Sequence, residues 1–452
     1  MYLLYSLVTA VGTILLTPYV LLSKSRREKY LPNLRERLGL RFPPELAGNG
    51  RVSPAIWLHA VSVGEVLAAV PFARCLKQRF PSRRLVISTT TATGQSLARE
   101  RMDFSDAVFY FPFDWKGPVR RVFQAVQPEA IVILETEIWP NLLRHARTAG
   151  VPIVVVNGRL SDRSFRGFLR AVKLSAGVLG GFLRRIINDA ALYLVQTRQD
   201  AARLLALGAD PDRVVIAGSM KYDVALPAPN ALTNWLQSEL APSQRGPLVV
   251  AGSVIAGEEM PVLEAFASIQ QKWPQALLII APRKPERFVG AAEILARAGW
   301  RPIRRSEISL DGLSAGILRS TEAAGKSVLL LDSLGELAAL YALADVVFIG
   351  GSLVPAGGHN PLEPAAFAKV PIFGRSMDNF REIAASLLAA EAAIQVDSGV
   401  QLGAAWVDLL ENDAKRAQMG LAASQIVERN RGATAATLDR VAAIIEPLRA
   451  HT

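Results

Sequence analysis

Twice along this chain, short continuously apolar runs alternate with stretches of helical spacing, and a proline-rich interruption separates the two series. A strand that is apolar on both faces must be covered on both faces, so this alternation restricts the chain to parallel sheets layered with helices. The first series has strand-like runs at 55–60, 85–89, 108–110, 130–134, 152–156, 192–195 and 214–217, with helical spacing at 64–80, 94–102, 140–149 and 200–207. The interruption is Ala225-Leu226-Pro227-Ala228-Pro229-Asn230, the composition of a hinge. The second series has strand-like runs at 248–252, 277–281, 328–331, 346–349 and 370–373, with helices expected at 258–273, 285–298, 334–344 and 364–368. At 452 residues the chain exceeds one ordinary core. The expected organisation is an N-terminal segment 1–23, a doubly wound α/β domain 24–225, a linker 226–236 and a second doubly wound domain 237–452, whose last helix could pack back on the first.

Charge and composition narrow the function classes. The formal net charge is +11, a balance found in proteins that meet nucleic acid, anionic membrane or phosphorylated ligands. Zinc-finger, homeodomain and RNA-binding signatures are absent and aromatics are 7%, so nucleic acid is not an expected partner. Cys75 is the sole cysteine, which excludes an internal disulfide framework; in a helix interior it reads as a small core residue. His59, His145, His359 and His451 are scattered without cysteine company, which argues against structural zinc.

Residues 1–22 carry no charged side chain, and Lys24, Arg26, Arg27, Lys29, Arg35, Arg37 and Arg41 follow. At about 1.5 Å per residue the apolar segment barely reaches across a hydrocarbon core of about 30 Å. It lacks the initial positive region of a secretory signal. The expectation is an anchor in the inner (plasma) membrane with everything after it on the cytoplasmic face. Each basic residue near an anionic surface adds about 1 kcal/mol of attraction. Pro18 and several threonines leave open a segment that dips into one leaflet, and a buried helix of the globular domain is the remaining alternative.

Ligands of doubly wound sheets bind at the carboxyl ends of the strands, so the polar turns there are the candidate sites. Gly350-Gly351-Ser352-Leu353-Val354-Pro355-Ala356-Gly357-Gly358-His359-Asn360-Pro361-Leu362-Glu363 follows the strand 346–349. Its glycines let backbone approach a ligand, its helix start offers N–H groups to a phosphate, and its carboxylate suits ribose hydroxyls. Ser62-Val63-Gly64-Glu65 follows the first strand: Glu65 either complements a helix dipole or serves as a general base, ionised at neutral pH if its pKa is near about 4.3. Glu135-Thr136-Glu137-Ile138-Trp139-Pro140-Asn141 places two carboxylates at another strand end. Asn157-Gly158-Arg159-Leu160-Ser161-Asp162-Arg163-Ser164 opens a basic stretch suited to a phosphate-bearing glycolipid or to a solvated face. Lys221, in Gly218-Ser219-Met220-Lys221-Tyr222-Asp223, either neutralises a leaving phosphate or lies on the surface. Pro282 and Arg283, with a guanidinium fork for phosphate or carboxylate, and Leu334-Gly335-Glu336, at a helix start, complete the second series.

These motifs, in this order, resemble the 3-deoxy-D-manno-octulosonic acid (Kdo) transferases of lipopolysaccharide biosynthesis. The resemblance runs over nearly the whole chain, through His59-Ala60-Val61-Ser62-Val63-Gly64-Glu65, Glu135-Thr136-Glu137-Ile138-Trp139-Pro140-Asn141, Ala281-Pro282-Arg283 and Gly357-Gly358-His359-Asn360-Pro361-Leu362-Glu363. It implies the GT-B glycosyltransferase fold, two Rossmann-like domains facing a cleft with an N-terminal membrane-anchor helix. It implies CMP-Kdo as donor, a lipid A precursor (lipid IVA) as acceptor, and no cofactor or metal for transfer. By the family pattern Glu65 is the base, and Glu135 and Lys221 assist the transition state. Pro282, Arg283, Leu334, Gly335, Glu336, Gly357, Gly358, His359, Asn360, Pro361, Leu362 and Glu363 hold the CMP portion. Ser62, Gly64, Arg159, Ser161 and Arg163 are candidates for the acceptor and its phosphate. One departure stands out: where many members carry Thr-His-Glu-Gly-Glu-Glu, this chain has Val254-Ile255-Ala256-Gly257-Glu258-Glu259. The alternatives are another GT-B enzyme using a UDP-sugar, and a non-catalytic membrane tether that binds glycolipid. The number of Kdo units added and the oligomeric state are not expressed in the sequence.

Overall fold

The computed structural model describes residues 1–22, 33–46, 53–175, 177–224, 226–243, 245–310, 317–318 and 326–447. Lys24, Arg26, Arg27, Lys29, Ala225 and His451 lie outside them. The strands of the first half are β1 (Ala55–His59), β2 (Arg84–Thr89), β3 (Ala107–Tyr110), β4 (Pro128–Leu134), β5 (Ile153–Gly158), β6 (Leu192–Val195) and β7 (Val214–Ile216). They form one parallel seven-stranded sheet in the order β3-β2-β1-β4-β5-β6-β7. Its central strands are apolar on both faces because each face has its own core. Trp57, Ile131 and Ile133 join Phe109 and Phe123 in one layer, while Ile56, Leu58, Val132 and Leu134 join Phe72 and Leu76 in the other.

The second half carries β8 (Leu248–Val254), β9 (Leu277–Pro282), β10 (Arg301–Arg304), β11 (Ser327–Leu330), β12 (Val346–Ile349), β13 (Ile372–Phe373) and β14 (Ile394–Gln395). These too form a parallel seven-stranded sheet, in the order β10-β11-β9-β8-β12-β13-β14. In both sheets the winding reverses beside the first strand: between β1 and β4 in one, between β8 and β12 in the other. Loops leaving two such neighbouring strands turn to opposite faces of the sheet, which opens a crevice at the carboxyl edge.

The chain divides into two units, Met1–Asp223 with Gly432–Thr452, and Val224–Arg431. The helix Ala231–Ser243 occupies the second half of the stretch read as linker and belongs to the second unit. The last helix, Ala433–Ile445, packs Val441, Ala442 and Ile445 into the first unit's core beside Val66 and Phe72. Its first turn is held by Asp223, whose carboxylate accepts the N–H groups of Gly432 and Thr434.

Several elements depart from the sequence pattern. Strands β10 and β14 were not anticipated, because one reads Arg-Pro-Ile-Arg at a sheet edge and the other pairs only two residues. The helix expected over 334–344 shrinks to Leu337–Leu340: Gly335 turns left-handed at φ 84° and Glu336 points its carboxylate at Arg305, so the helix cannot begin earlier. The basic stretch after β5 becomes the helices Asp162–Leu174 and Val178–Ile187.

The N-terminal segment forms one helix, Tyr2–Leu21. Its first turns dock on the first unit. The Tyr2 hydroxyl donates to Asp189 at 2.5 Å, Asn141 donates to Ser6 Oγ at 3.0 Å, and the Tyr2 ring meets Phe182 edge-on. Among the described residues no helix is long and apolar enough to cross a membrane.

Candidate active site

At the winding reversal of the first sheet, β1 and β4 deliver three carboxylates to one edge. Ser62 opens the helix Val63–Arg79 and Glu65 lies in its first turn, where the carboxylate accepts the Val61 N–H at 2.8 Å and the Ser62 hydroxyl at 3.0 Å. Glu65 is therefore a capping residue as well as a member of the site. Glu135 follows β4 in the left-handed region at φ 59°, and Glu137 follows it. A non-glycine residue rarely adopts that conformation.

The expectation that Glu65 is fully ionised at neutral pH does not hold. Burial pushes its pKa up to about 7; the hydrogen bond from Val61 works against this, and the negative charges of Glu135 and Glu137 add to it. Burial and the Glu135 charge raise Glu137 as well. A carboxylate tuned to about 7 sits where a general base is most effective near neutrality, because it is available in the basic form yet basic enough to take a proton.

Around these carboxylates, buried polar atoms lack partners among the described residues: His59 Nε2, Thr90 Oγ1, Thr136 Oγ1, Trp139 Nε1, Asn157 Nδ2 and Ser219 Oγ. Buried polar atoms are nearly always hydrogen-bonded. All six belong to the carboxyl ends of β1, β2, β4, β5 and β7 or to the turns that follow, beneath the surface of that edge. His59 is fixed by Ser88, whose Oγ lies 2.9 Å from Nδ1, and by its ring stacked at 3.9 Å on Phe111. Burial lowers its pKa to about 3, so the ring is neutral.

Asn157 adds a positioning device. At φ 52° it turns its side-chain oxygen to accept the Met220 N–H at 3.1 Å, which secures the turn Met220–Tyr222 that carries Lys221. Arg159 stands at the end of β5, and Ser62 and Gly64 lie beside Glu65. The Ser161 hydroxyl caps the helix Asp162–Leu174 by accepting the Ser164 N–H at 3.1 Å, with Arg163 exposed in the first turn.

In the second unit the residues gather at the corresponding reversal. The turn after β12 approaches the end of β8 so closely that a Cβ on Gly350 would lie 2.3 Å from the Ser253 carbonyl oxygen. Gly350→Ala is therefore expected to lower stability by about 1–3 kcal/mol, read as a fall in the urea midpoint of the second unit. Gly357 and Gly358 follow at φ 87° and 71°. His359, Asn360 and Glu363 then enter and open the helix Leu362–Ala366, with Asn360 Oδ1 accepting the Leu362 N–H and its Nδ2 donating to Glu363 at 3.3 Å.

Arg283, just past β9, lies within electrostatic reach of both His359 and Glu363. Burial and the Arg283 charge lower His359 to about 4, so it is neutral. Burial raises Glu363, and the Asn360 hydrogen bond and Arg283 oppose that rise. Pro282 is the buried last residue of β9, while Leu334 is exposed and Gly335 turns beside it. Glu336 is occupied by Arg305 in a forked pair at 3.0 Å, so its side chain is a brace for that turn.

In the stretch 254–259, the two glutamates that remain beside the departure at Ile255 and Ala256 have physical tasks. Glu258 is fully buried, and its carboxylate accepts four backbone N–H groups, from Ile255, Gly351, Ser352 and Leu353, at 2.7–3.1 Å. It moulds the glycine-rich turn from beneath. Glu259 accepts the Gly257 N–H and pairs with Arg287 at 2.8 Å. Glu258, Asn157 and Ser219 stand inside turns singled out from the sequence but were given no task there, and Thr90 was not singled out; strand-end placement was the available signal. Among the described residues no group of three or more His, Cys, Asp or Glu side chains could hold a metal ion.

Comparison with known proteins adds an independent line. The model of the family described as 3-Deoxy-D-manno-octulosonic-acid transferase (kdotransferase) matches residues 32–224. The chain is 34% identical over 421 residues to the 3-deoxy-D-manno-octulosonic acid transferase of Haemophilus influenzae, covering 92% of this chain and 93% of that one. It is 34% identical over 425 residues to the enzyme of the same name from Bordetella pertussis, covering 91% of each. Among solved structures, a Listeria monocytogenes protein assigned as a UDP-N-acetylglucosamine 2-epimerase shares the fold at 14% identity, with a TM-score of 0.51 over 89% of this chain and 98% of that one. The two parallel α/β units are those of the GT-B class.

Proposed function

The chain belongs to the 3-deoxy-D-manno-octulosonic acid transferase family and is a glycosyltransferase that moves Kdo; from that premise we propose that its donor is CMP-Kdo, its acceptor a sugar hydroxyl of a lipid A precursor (lipid IVA), and its general base Glu65. The observation that carries the chemistry is the buried Glu65 carboxylate at the winding reversal of the first sheet, with a pKa of about 7. The acceptor hydroxyl attacks the anomeric carbon of Kdo, and its proton passes to Glu65. The bond from that carbon to the phosphate oxygen breaks, and CMP leaves with the electron pair. Attack opposite the leaving group inverts the configuration.

Each further residue has a stated task in this reading. Glu135 keeps Glu65 basic by like-charge repulsion and stabilises positive charge developing at the anomeric carbon. Lys221 and Arg283 neutralise the departing phosphate, which leaves no task for a cofactor or metal. The backbone of 357–362 holds the phosphate, and Glu363 accepts from the ribose hydroxyls. The edge around Glu65 receives the acceptor sugar, with Ser62, Gly64 and Arg159 at its rim. The charge-free helix Tyr2–Leu21 holds the enzyme at the inner membrane, on the cytoplasmic face, where an acylated acceptor resides. It lies in one leaflet, in keeping with its docked first turns.

Incubation with CMP-Kdo and a tetraacylated disaccharide acceptor, followed by mass analysis of lipid and nucleotide, tests the assignment. Addition of Kdo to the lipid with one CMP released per transfer is the expected result. Release of UDP from a UDP-sugar, with CMP-Kdo untouched, would overturn it. Removing residues 1–22 is expected to shift the protein from the membrane to the soluble fraction; salt-resistant membrane binding by the truncated chain would count against the anchor.

A further inference from the structure

A cationic cavity lies between two helices of the first unit. Between the helices Lys116–Val126 and Pro140–Thr148 the first unit opens into a cavity of about 530 Å³, walled by Tyr2, Lys116, Arg120, Asn141, Arg144 and His145. It shares no residue with the Glu65 cluster.

The charges facing the cavity do not cancel. Arg144 pairs with Asp189 at 3.2 Å and lies over the Tyr2 ring. Asp114 is nearby, but its carboxylate accepts the N–H groups of Asn141 and Leu142 and bonds Tyr5, which commits it to the helix start. Lys116 and Arg120 form no ion pair among the described residues. Burial and the Arg120 charge lower the pKa of His145, so its neutral ring adds a hydrogen-bonding group to the wall. The amides that open the helix at Lys116 have no side-chain cap.

The surroundings specify what kind of anion belongs there. Tyr2 and Ser6 fasten the N-terminal helix to this rim. From there the helix presents Leu4, Leu7, Val8, Val11 and Leu15, each 45–72% exposed. A cationic cavity at the foot of an uncovered apolar helix matches a molecule with a phosphate head and acyl chains. We propose that this cavity binds the phosphate headgroup of an anionic membrane lipid, and so orients the first domain on the bilayer independently of acceptor binding.

Vesicle sedimentation of the full-length chain tests this, comparing phosphatidylcholine vesicles with vesicles that also contain phosphatidylglycerol. The wild type is expected to prefer the anionic vesicles, and Lys116→Ala with Arg120→Ala to reduce that preference roughly 20-fold. Thr148→Trp keeps every charge but fills the cavity from its wall, and is expected to reduce the preference as well. Arg297→Ala with Lys415→Ala removes the same charge from exposed positions of the second unit and is expected to change little. Two results would overturn the proposal: full preference in the Thr148→Trp chain, or an equal loss in the Arg297/Lys415 chain.

Discussion

Glu65→Gln is expected to lower turnover roughly 10²- to 10⁴-fold while making the folded protein more stable at pH 8. The two effects share one cause. The carboxylate is raised to about 7 by burial and by Glu135 and Glu137, so its ionised form is strained in the fold. A group whose folded pKa lies above its unfolded value gives its full stability below the unfolded pKa, and that stability drains away as pH rises through the folded pKa. Here the window runs from the ordinary carboxylate range up to about 7. Gln is neutral throughout and reproduces both local hydrogen bonds: its oxygen accepts from Val61 and its amide donates to Ser62. Above pH 7 the gain is roughly 3 kcal/mol, an order-of-magnitude figure from the size of the shift. The wild-type pH–rate profile should rise and level off above about 7, and the variant should lose that inflection. Turnover within ten-fold of wild type would remove Glu65 from the base role, whatever the thermal melt does.

The second large effect is expected at a residue that touches no substrate. Glu258→Gln places an amide NH₂ against N–H donors that now find a carboxylate oxygen. Oε1 accepts from Ser352 and Leu353, and Oε2 from Ile255 and Gly351, so either orientation of Gln sets a donor against two donors. A buried donor left unmet costs about 1–3 kcal/mol. The expected result is a loss of several kcal/mol in the second unit and a rise in KM for the proposed donor, CMP-Kdo, of at least 10-fold, because the turn at 350–353 leads directly to 357–363. Acceptor KM should hold. A variant with wild-type melting and donor KM would show that the turn keeps its shape unaided.

The comparison of pattern and structure divides along physical lines. Runs such as 130–134 and 346–349 were legible as strands because double-sided burial leaves no polar residue in them. Glu65, Glu135 and the 357–363 turn were legible as candidates because strand ends are where such sheets place ligands. The helix at 334–344 was misjudged because local spacing cannot register Arg305, which reaches Glu336 from the end of another strand.

By itself, then, the amino-acid order determined two parallel wound sheets, the strand ends at which chemistry sits, and the reaction class that their motifs resemble. Those properties follow from periodicity and from residue type at fixed spacing, both of which are local. Only the tertiary structure decided that Glu65 titrates near 7, that Asn157 secures the Lys221 turn, and that Glu258 holds four amides of the glycine-rich loop. It also returned the last helix to the first unit. Desolvation, like-charge proximity and long-range hydrogen bonds depend on which distant segments share a volume, and that is settled by packing alone.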